Sequence, residues 1–199
     1  MPRSLKGHTA LVTGATGGLG AAIARRLAAE GAAVVLAHLD CWDAAGALAE
    51  EITADGGTAR PVEADLRDLD AVRDLCQQAH SRLGPVDILV SNAGAYPRTS
   101  WAGTTPNVWD DMLATNLTSH YLLAHELTAG MAAFGWGRII TIGSVLATAG
   151  RHEPRRSSAT QRWARRTCWL RLGKPKSVYP TTSDPSSATS SPPSSAYLR

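Results

Sequence analysis

A glycine-rich segment near the N-terminus has the residue types and spacing of a phosphate-binding turn. It reads Thr13-Gly14-Ala15-Thr16-Gly17-Gly18-Leu19-Gly20 and follows the apolar run Ala10–Val12. Glycines at 14, 18 and 20 allow a tight turn and a close backbone approach to a pyrophosphate, whose charge then lies at the N-terminus of the next helix. A glycine-rich turn without a ligand is the alternative, but the strand before it and the helix after it favour dinucleotide binding. We expect the contacts to come from Thr13, Gly14, Thr16, Gly17, Gly18, Leu19 and Gly20.

Further polar residues follow later apolar runs or lie within a long helical pattern. Ala64-Asp65-Leu66 and Ser91-Asn92-Ala93-Gly94 each come after a short run, and Ser144 comes after the run Arg138–Ile142. Asn116 lies within the helical pattern. Taken singly, Asp65 is typical of a cap, Asn116 of a helix surface and Ser144 of a strand end. Their order along the chain, together with the glycine-rich turn, favours a functional interpretation over these structural ones.

These residues need a scaffold, and the first 150 residues alternate between strand and helix patterns. Short apolar runs predict strands at Ala10–Val12, Ala33–Ala37, Thr58–Val62, Val86–Val90 and Arg138–Ile142. Helical spacing predicts helices at Gly18–Glu30, Asp43–Asp55, Asp68–Leu83 and Pro106–Phe134. We therefore predict an α/β fold with a Rossmann-type, doubly wound parallel sheet of about five strands, in a domain over residues 1–150. In the last helix, core spacing predicts burial of Val108, Met112, Leu113, Leu117, Tyr121 and Leu122.

Together these motifs resemble the short-chain dehydrogenase/reductase family over roughly residues 5–150, with the turn spacing Thr-Gly-x-x-x-Gly-x-Gly. The resemblance implies that Asp65, with Leu66 beside it, contacts the adenine, and that Asn92-Ala93-Gly94 stabilises the sheet next to the cofactor. It implies that Ser144 polarises a carbonyl and that Asn116 holds a relay water. The activity implied is NAD(P)-dependent hydride transfer between an alcohol and a carbonyl substrate. Family members assemble as homo-oligomers through the helix at 108–134 and another that begins near 157.

The cofactor preference depends on the end of the second predicted strand, which reads Ala37-His38-Leu39-Asp40-Cys41. In the family, an Asp at the end of this strand binds the adenosine ribose and favours NAD, whereas a nearby Arg or Lys favours NADP. In this chain His38 occupies the position of that Asp. Without the carboxylate, repulsion of the 2′-phosphate of NADP is weaker, so NADP is permitted. Because His38 is only partly charged at neutral pH, we expect only a slight preference for NADP over NAD. Asp40 remains able to bind a ribose.

The resemblance also implies a Tyr-x-x-x-Lys pair after Ser144, and this chain departs from it. The corresponding segment is Ser157-Ser158-Ala159-Thr160-Gln161, with Ser157 at the Tyr position and Gln161 at the Lys position. A serine hydroxyl is far less acidic than a phenol, and losing a positioned acid typically costs about 10²–10⁴ in rate. We therefore predict weak or absent carbonyl reduction. The second hypothesis is a non-catalytic, dinucleotide-binding remnant or interaction protein.

Beyond residue 150 the sequence changes character, which leaves the predicted sheet incomplete. Residues 151–199 carry 10 basic residues (Lys and Arg) and 2 acidic residues (Asp and Glu). Residues 1–150 carry 10 basic and 15 acidic residues. The run Thr181–Ala196 has no large apolar residue, so we predict an irregular, disordered, basic Ser/Pro-rich tail over 151–199. A change of reading frame near residues 150–161 would explain both the composition and the lost Tyr and Lys. It also explains the basic stretch Arg151–Arg171 more simply than nucleic-acid binding does, so we predict no nucleic-acid partner.

Length and composition argue against several other classes of protein. The chain has 199 residues, 44% of them hydrophobic, which suits one globular domain with a sizeable core. No run of 18 apolar residues is present, so we expect no membrane span. Three cysteines without a pairing pattern suggest a reducing, cytoplasmic location. His120, His125 and Glu126 lack metal-ligand spacing, so we expect no metal site.

Overall fold

The strands at the centre of the sheet are apolar and buried, whereas an edge strand is partly exposed. The structure, a computed structural model, describes residues 4–96, 99–144 and 167–171. Within these ranges the strands are β1 (Thr9–Thr13), β2 (Ala33–His38), β3 (Thr58–Glu63), β4 (Ile88–Ser91), β5 (Arg138–Ile142) and β6 (Thr167–Arg171). They lie in the order β3-β2-β1-β4-β5-β6, and the pairs from β3 to β5 are parallel. The predicted α/β class with five parallel strands is confirmed.

Helices cover both faces of this sheet. Within the described part of the chain they are α1 (Gly18–Ala29), α2 (Trp42–Ala54), α3 (Leu69–Leu83), α4 (Pro106–Leu113) and α5 (Ser119–Ala133). One apolar cluster includes Ala24 of α1 and Leu48 of α2, and the other includes Leu75 of α3 and Leu123 of α5. The parallel strands therefore present their carboxyl ends at a common edge, where ligands bind in sheets of this type. None of the described helices is long and apolar enough to cross a bilayer.

The long helix predicted at Pro106–Phe134 is interrupted. A π-helical turn at Ala114–Thr118 separates α4 from α5. Such a turn holds one residue more than an α-helical turn, so the residues after it are rotated about the helix axis relative to a continuous α-helix. The residues that α5 buries are Ser119, Leu123, Leu127 and Met131.

The core prediction is wrong for three residues of this long helical pattern. Leu113, Leu117 and Tyr121 are exposed, the last two by 64% and 63%. The other predicted core residues of this helix, Val108, Met112 and Leu122, are only partly buried. Trp109 is exposed as well. We call the four exposed residues spaced by four, Trp109, Leu113, Leu117 and Tyr121, the apolar stripe.

Strand β6 lies in the segment for which an irregular tail is predicted. It pairs antiparallel with β5 and places Thr167 opposite Ile142 and Arg171 opposite Arg138. Threonine, tryptophan and leucine fit extended backbone, and β6 covers an edge of β5 that would otherwise be unpaired. The structure thus differs from the prediction at Thr167–Arg171. The domain boundary at residue 150 and the remainder of the predicted tail lie outside the described residues.

At the amino edge of the sheet, side chains join β1 to β4. Nδ1 of His8 lies 2.5 Å from Oδ2 of Asp87, and Oδ1 of Asp87 accepts a hydrogen bond from the backbone N–H of Thr9 at 3.0 Å. The hydroxyl of Thr9 donates to the carbonyl oxygen of Leu83 at 2.8 Å. These contacts fix how β1 and β4 pair, and that pairing positions the candidate site at the opposite edge.

Candidate functional site

Thr13 and Asn92 join the carboxyl ends of β1 and β4. The hydroxyl oxygen of Thr13, a wholly buried residue, accepts hydrogen bonds from the backbone N–H groups of Asn92 and Ala93, both at 2.9 Å. The side-chain amide of Asn92 donates to the carbonyl oxygens of Thr13 at 3.0 Å and Gly14 at 3.3 Å. Because the hydroxyl of Thr13 is used within the protein, these contacts favour a role for Thr13 in shaping the turn.

The glycine-rich turn lies directly against this junction. Gly14 has a φ of 60°, a left-handed conformation that favours glycine. A Cβ atom on Gly20 would overlap the carbonyl oxygen of Gly14 and lie 2.9 Å from Nδ2 of Asn92. Only glycine at position 20 therefore lets α1 approach the turn this closely. Gly18 differs, because no described atom lies within 4 Å of the place its Cβ would take.

The N-terminus of α1 has the features of an anion site. Gly17 stands at the position before the helix and forms no side-chain cap, and the first turn has no acidic residue. The first backbone N–H groups of a helix lack partners within it, and the helix dipole is positive at this end. Gly17, Gly18 and Leu19 are exposed, and Thr16 is half-buried. This uncapped, open end fits the pyrophosphate that the sequence predicts.

The residues that the sequence predicts on the adenosine side lie at the ends of β2 and β3. His38, the last residue of β2, pairs with Glu63 of β3 and is only 4% exposed. Leu66 and Asp65 follow β3, and both are half-buried. Oδ2 of Asp65 accepts hydrogen bonds from Nε and Nη2 of Arg67 at 3.1 and 2.7 Å. These hydrogen bonds lower the pKa of Asp65, so its carboxyl group stays ionised at neutral pH.

Four residues that the sequence does not single out make contacts beside these positions. Oε2 of Glu63 accepts a hydrogen bond from Nε1 of Trp42 at 2.9 Å, which ties the start of α2 to β3. Nη1 of Arg67 lies 3.3 Å from Oδ1 of Asp111, which ties the loop after β3 to α4. Extending the third predicted strand by one residue would have placed Glu63 beside His38. The contact between Arg67 and Asp111 has no comparable sequence signal, since it joins distant segments.

Asn116 lies in the π-helical turn and holds the loop that follows β4. Its Oδ1 accepts a hydrogen bond from the backbone N–H of Ala95 at 2.9 Å. Its Nδ2 donates to the carbonyl oxygens of Ala95 at 2.8 Å and Met112 at 3.0 Å. A Cβ on Gly94 would lie 2.9 Å from Oδ1 of Asn116, so the loop passes close to this side chain. Both amide hydrogens are thus engaged, and these contacts favour a positioning role for Asn116.

Ser144 lies two residues beyond β5 and is exposed. Ser91 of β4 pairs with Thr141 of β5, so Ser144 is at the same edge of the sheet as the loop after β4.

Two of the predicted site positions, Ser157 and Gln161, lie outside the described residues. In the ranges that the structure does describe, His, Cys, Asp and Glu side chains form no group of three suited to a metal ion.

The fold and this edge define a Rossmann-type domain with a glycine-rich turn built to receive a dinucleotide. Residues 8–159 match the family model described as short chain dehydrogenase. The chain belongs to the short-chain dehydrogenase/reductase family.

Relatives of known name or structure agree with this assignment. The chain is 39% identical over 141 residues to nodulation protein G of Azospirillum brasilense, covering 71% of this chain and 57% of that protein. It is 40% identical over 146 residues to L-rhamnose 1-dehydrogenase (NAD(P)(+)) of Azotobacter vinelandii, covering 71% of this chain and 57% of that protein. A solved 3-oxoacyl (acyl-carrier-protein) reductase from Agrobacterium tumefaciens C58, with NADP bound, has a TM-score of 0.69 at 39% identity and covers 75% of this chain and 57% of that one. The chain thus spans 57% of the length of these two curated relatives.

Proposed function

We propose that this chain binds NAD(P) at the carboxyl ends of β1, β2 and β4, with a slight preference for NADP. The observation that carries the proposal is the uncapped N-terminus of α1, held beside β4 by the hydrogen bonds between Thr13 and Asn92. Gly17–Leu19 would hold the pyrophosphate, and Asp65 and Leu66 would hold the adenine. Solved relatives of similar identity contain NADP or NADPH, which supports the same cofactor class.

The reaction that we propose for this site is hydride transfer between a small alcohol and the corresponding carbonyl compound. When bound, NAD(P) supplies or accepts the hydride. Ser144 would donate a hydrogen bond to the carbonyl oxygen, and Asn116 would keep the loop at Asn92–Ala95 in place. Ser157, at the Tyr position, is a poor proton donor, and Gln161 supplies no positive charge. We therefore propose that the chain transfers hydride weakly or not at all, and non-catalytic dinucleotide binding is the second candidate.

Thermal unfolding with and without dinucleotide tests the binding proposal. A ligand at a hundredfold excess over its Kd stabilises the folded state by about 2.7 kcal/mol. At about 2–4 °C per kcal/mol for a chain of this size, the midpoint should rise by about 5–10 °C. We expect NADPH to give a larger rise than NADH.

Two matched valine substitutions serve as controls. Gly18→Val fills the open space at the first residue of α1 and should abolish the rise, because the pyrophosphate can no longer approach the backbone. Gly130→Val makes the same change at another glycine with open space around it, on α5, and should keep the rise. A rise that persists in Gly18→Val, or no rise with either dinucleotide, contradicts the proposed site.

Hydride transfer separates the two candidate functions once binding is established. We expect the oxidation of NADPH in the presence of a generic ketone, followed by absorbance, to proceed at the background rate or slightly above it. A fast, ketone-dependent rate that disappears in Ser144→Ala contradicts the loss of catalysis proposed here.

We also propose that the chain forms a homo-oligomer through the apolar stripe. Large apolar side chains exposed in a row usually mark an interaction surface, and Leu117 is 64% exposed. The parent chain should elute above its mass of 21.0 kDa, and Leu117→Glu should elute as a monomer. Leu39→Glu makes the same change at an exposed leucine outside the stripe and should elute like the parent. Elution of Leu117→Glu with the parent rules out this surface.

A further inference from the structure

Arg67 directs all three of its guanidinium nitrogens at carboxylates. Nε donates a hydrogen bond to Oδ1 of Asp65 at 2.9 Å, and Nη2 donates one to Oδ2 of Asp65 at 2.7 Å. Nη1 lies 3.3 Å from Oδ1 of Asp111 in α4. A guanidinium is planar, and two parallel hydrogen bonds to one carboxylate fix the relative orientation of the two groups. Arg67 therefore sets the plane of the Asp65 carboxylate, and Asp111 holds Arg67 in turn.

The loop backbone adds a further hydrogen bond to the Asp65 carboxylate. Its Oδ1 accepts from the backbone N–H of Arg67 at 3.0 Å. An ionised carboxylate has about four acceptor positions. Among the described residues, three N–H groups of Arg67 occupy such positions, those of the backbone, Nε and Nη2. Oδ1 already has two donors, so the position that remains is on Oδ2 and can accept one hydrogen bond from a ligand.

The open position on Asp65 is accessible and accepts only a donor. The side chain of Asp65 is 33% exposed, and it follows β3 at the carboxyl edge of the sheet. Hydrogen bonds from Arg67 lower the pKa of Asp65, so at neutral pH the carboxylate accepts hydrogen bonds and donates none. A ligand atom that meets this position must therefore carry a hydrogen.

We propose that Arg67 is a positioning residue, which holds the Asp65 carboxylate for the amino group of a bound adenine and makes the site select adenine over a base with a carbonyl group at that carbon. The proposal rests on the proposed dinucleotide binding and adds what sets its choice of base. The amino group of adenine donates a hydrogen bond. The carbonyl oxygen of hypoxanthine only accepts, and hypoxanthine carries its hydrogen on the neighbouring ring nitrogen, N1.

Selection between these two bases depends on a carboxylate that cannot turn. Held by the guanidinium, the carboxylate of Asp65 meets the amino group of adenine but cannot follow the donor to N1 of hypoxanthine. A carboxylate that turns freely can meet either donor, so its preference is smaller. Lysine in place of Arg67 would keep the positive charge but would not fix the plane of the carboxylate, because an ammonium group is a point charge.

Calorimetric titration of the full chain with NADP+ and with nicotinamide hypoxanthine dinucleotide phosphate tests the proposal. The two ligands differ only in the base, so the ratio of their affinities measures its selection. We expect the parent chain to bind NADP+ about 10- to 100-fold more tightly, the range of one hydrogen bond to a charged group. Arg67→Ala should lower this ratio about three- to fivefold, the upper range for an exposed ion pair. Arg67→Lys should lower it as well.

Arg73 of α3 offers a matched control. It also spans two carboxylates, those of Asp70 and Glu126, and its side chain is 54% exposed, compared with 43% for Arg67. Arg73→Ala should keep the ratio of the parent chain. Surface ion pairs contribute little to stability, so both alanine variants should unfold close to the parent, and the ratio then reports on the base rather than on folding.

A double-mutant cycle tests whether Arg67 acts through Asp65. Asp65→Asn replaces the carboxylate with an amide, which can accept from the amino group of adenine or donate to the carbonyl oxygen of hypoxanthine. The ratio of affinities should therefore fall toward equality. Adding Arg67→Ala to Asp65→Asn should leave the ratio unchanged, because the carboxylate that Arg67 positions is already absent.

Each other result contradicts a definite statement. Equal affinities of the parent chain for the two ligands overturn the selection of the base, and this measurement needs no variant. An equal effect of Arg67→Ala and Arg73→Ala on the ratio overturns the positioning role, as does a further fall when Arg67→Ala is added to Asp65→Asn. If the parent chain binds neither dinucleotide, the proposed function fails as well, whereas binding of both without selection overturns this inference alone.

Discussion

The Gly20→Ala variant is expected to unfold well below the parent chain and to lose dinucleotide binding. The added methyl group would overlap the carbonyl oxygen of Gly14, which is backbone and cannot move aside cheaply. Overpacking of this kind typically costs 1–3 kcal/mol, so we expect about 3 kcal/mol. At about 2–4 °C per kcal/mol, the thermal midpoint should fall by about 6–12 °C. Binding should be lost because α1 can no longer sit against the turn that positions its N-terminus.

Gly18→Ala is the matched control for this effect. It adds the same methyl group two residues away, where open space surrounds the Cβ position. We expect its midpoint to lie within about 2 °C of the parent, since no contact is disturbed. Equal midpoints for Gly20→Ala and Gly18→Ala would contradict the close approach of α1 to the turn.

Thr13→Val is expected to destabilise the chain by a similar or larger amount. Valine has nearly the shape of threonine but offers no acceptor, so the N–H groups of Asn92 and Ala93 would both lose their partner. Each buried donor left unpaired costs about 1–3 kcal/mol, so the free energy of unfolding should fall by about 2–6 kcal/mol. Urea denaturation measures this as a lower midpoint concentration with an unchanged slope.

Thr13→Ser separates the lost hydrogen bonds from any effect of shape. Serine keeps the hydroxyl oxygen that accepts from the two N–H groups and removes only a methyl group. Its loss of stability should be about 1 kcal/mol, the cost of one buried methyl group. The role assigned to the hydroxyl is wrong if serine and valine destabilise the chain equally.

The sheet and most of its helices could be predicted because their signals are local. Gly31 and Gly84 follow α1 and α3 with φ values of 99° and 89°, and such residues stop a helix wherever they occur. Strands β1, β2 and β4 each contain an unbroken apolar run, as expected for a strand covered on both faces, whereas the edge strand β3 mixes buried and exposed residues. The observed ends of these elements lie within two residues of the predicted ends.

The surroundings of the site depend on contacts that no local pattern contains. The π-helical turn at Ala114–Thr118 changes which residues face the core, and hydrophobic spacing assumes an unbroken helix. The carboxylate of Glu63 reaches Trp42 only because β2 and β3 pair in one particular register. That His38 lies beside a cofactor stays a prediction, and its burial without a hydrogen-bond partner among the described residues became visible only in the packed structure.

The central place of β1 in the sheet has a consequence for synthesis of the chain on the ribosome. Strands β1, β2 and β3 can assemble once residue 63 has emerged, but the other neighbour of β1 is β4, at Ile88–Ser91. At a translation rate of about 5–20 residues per second, the second edge of β1 stays unpaired for roughly 1–6 s. During that interval the nascent protein displays an apolar strand, Thr9–Thr13, that another chain could extend. Until β4 is made, the growing polypeptide is therefore exposed to aggregation through β1, and a chaperone that covers this strand would protect it at that stage.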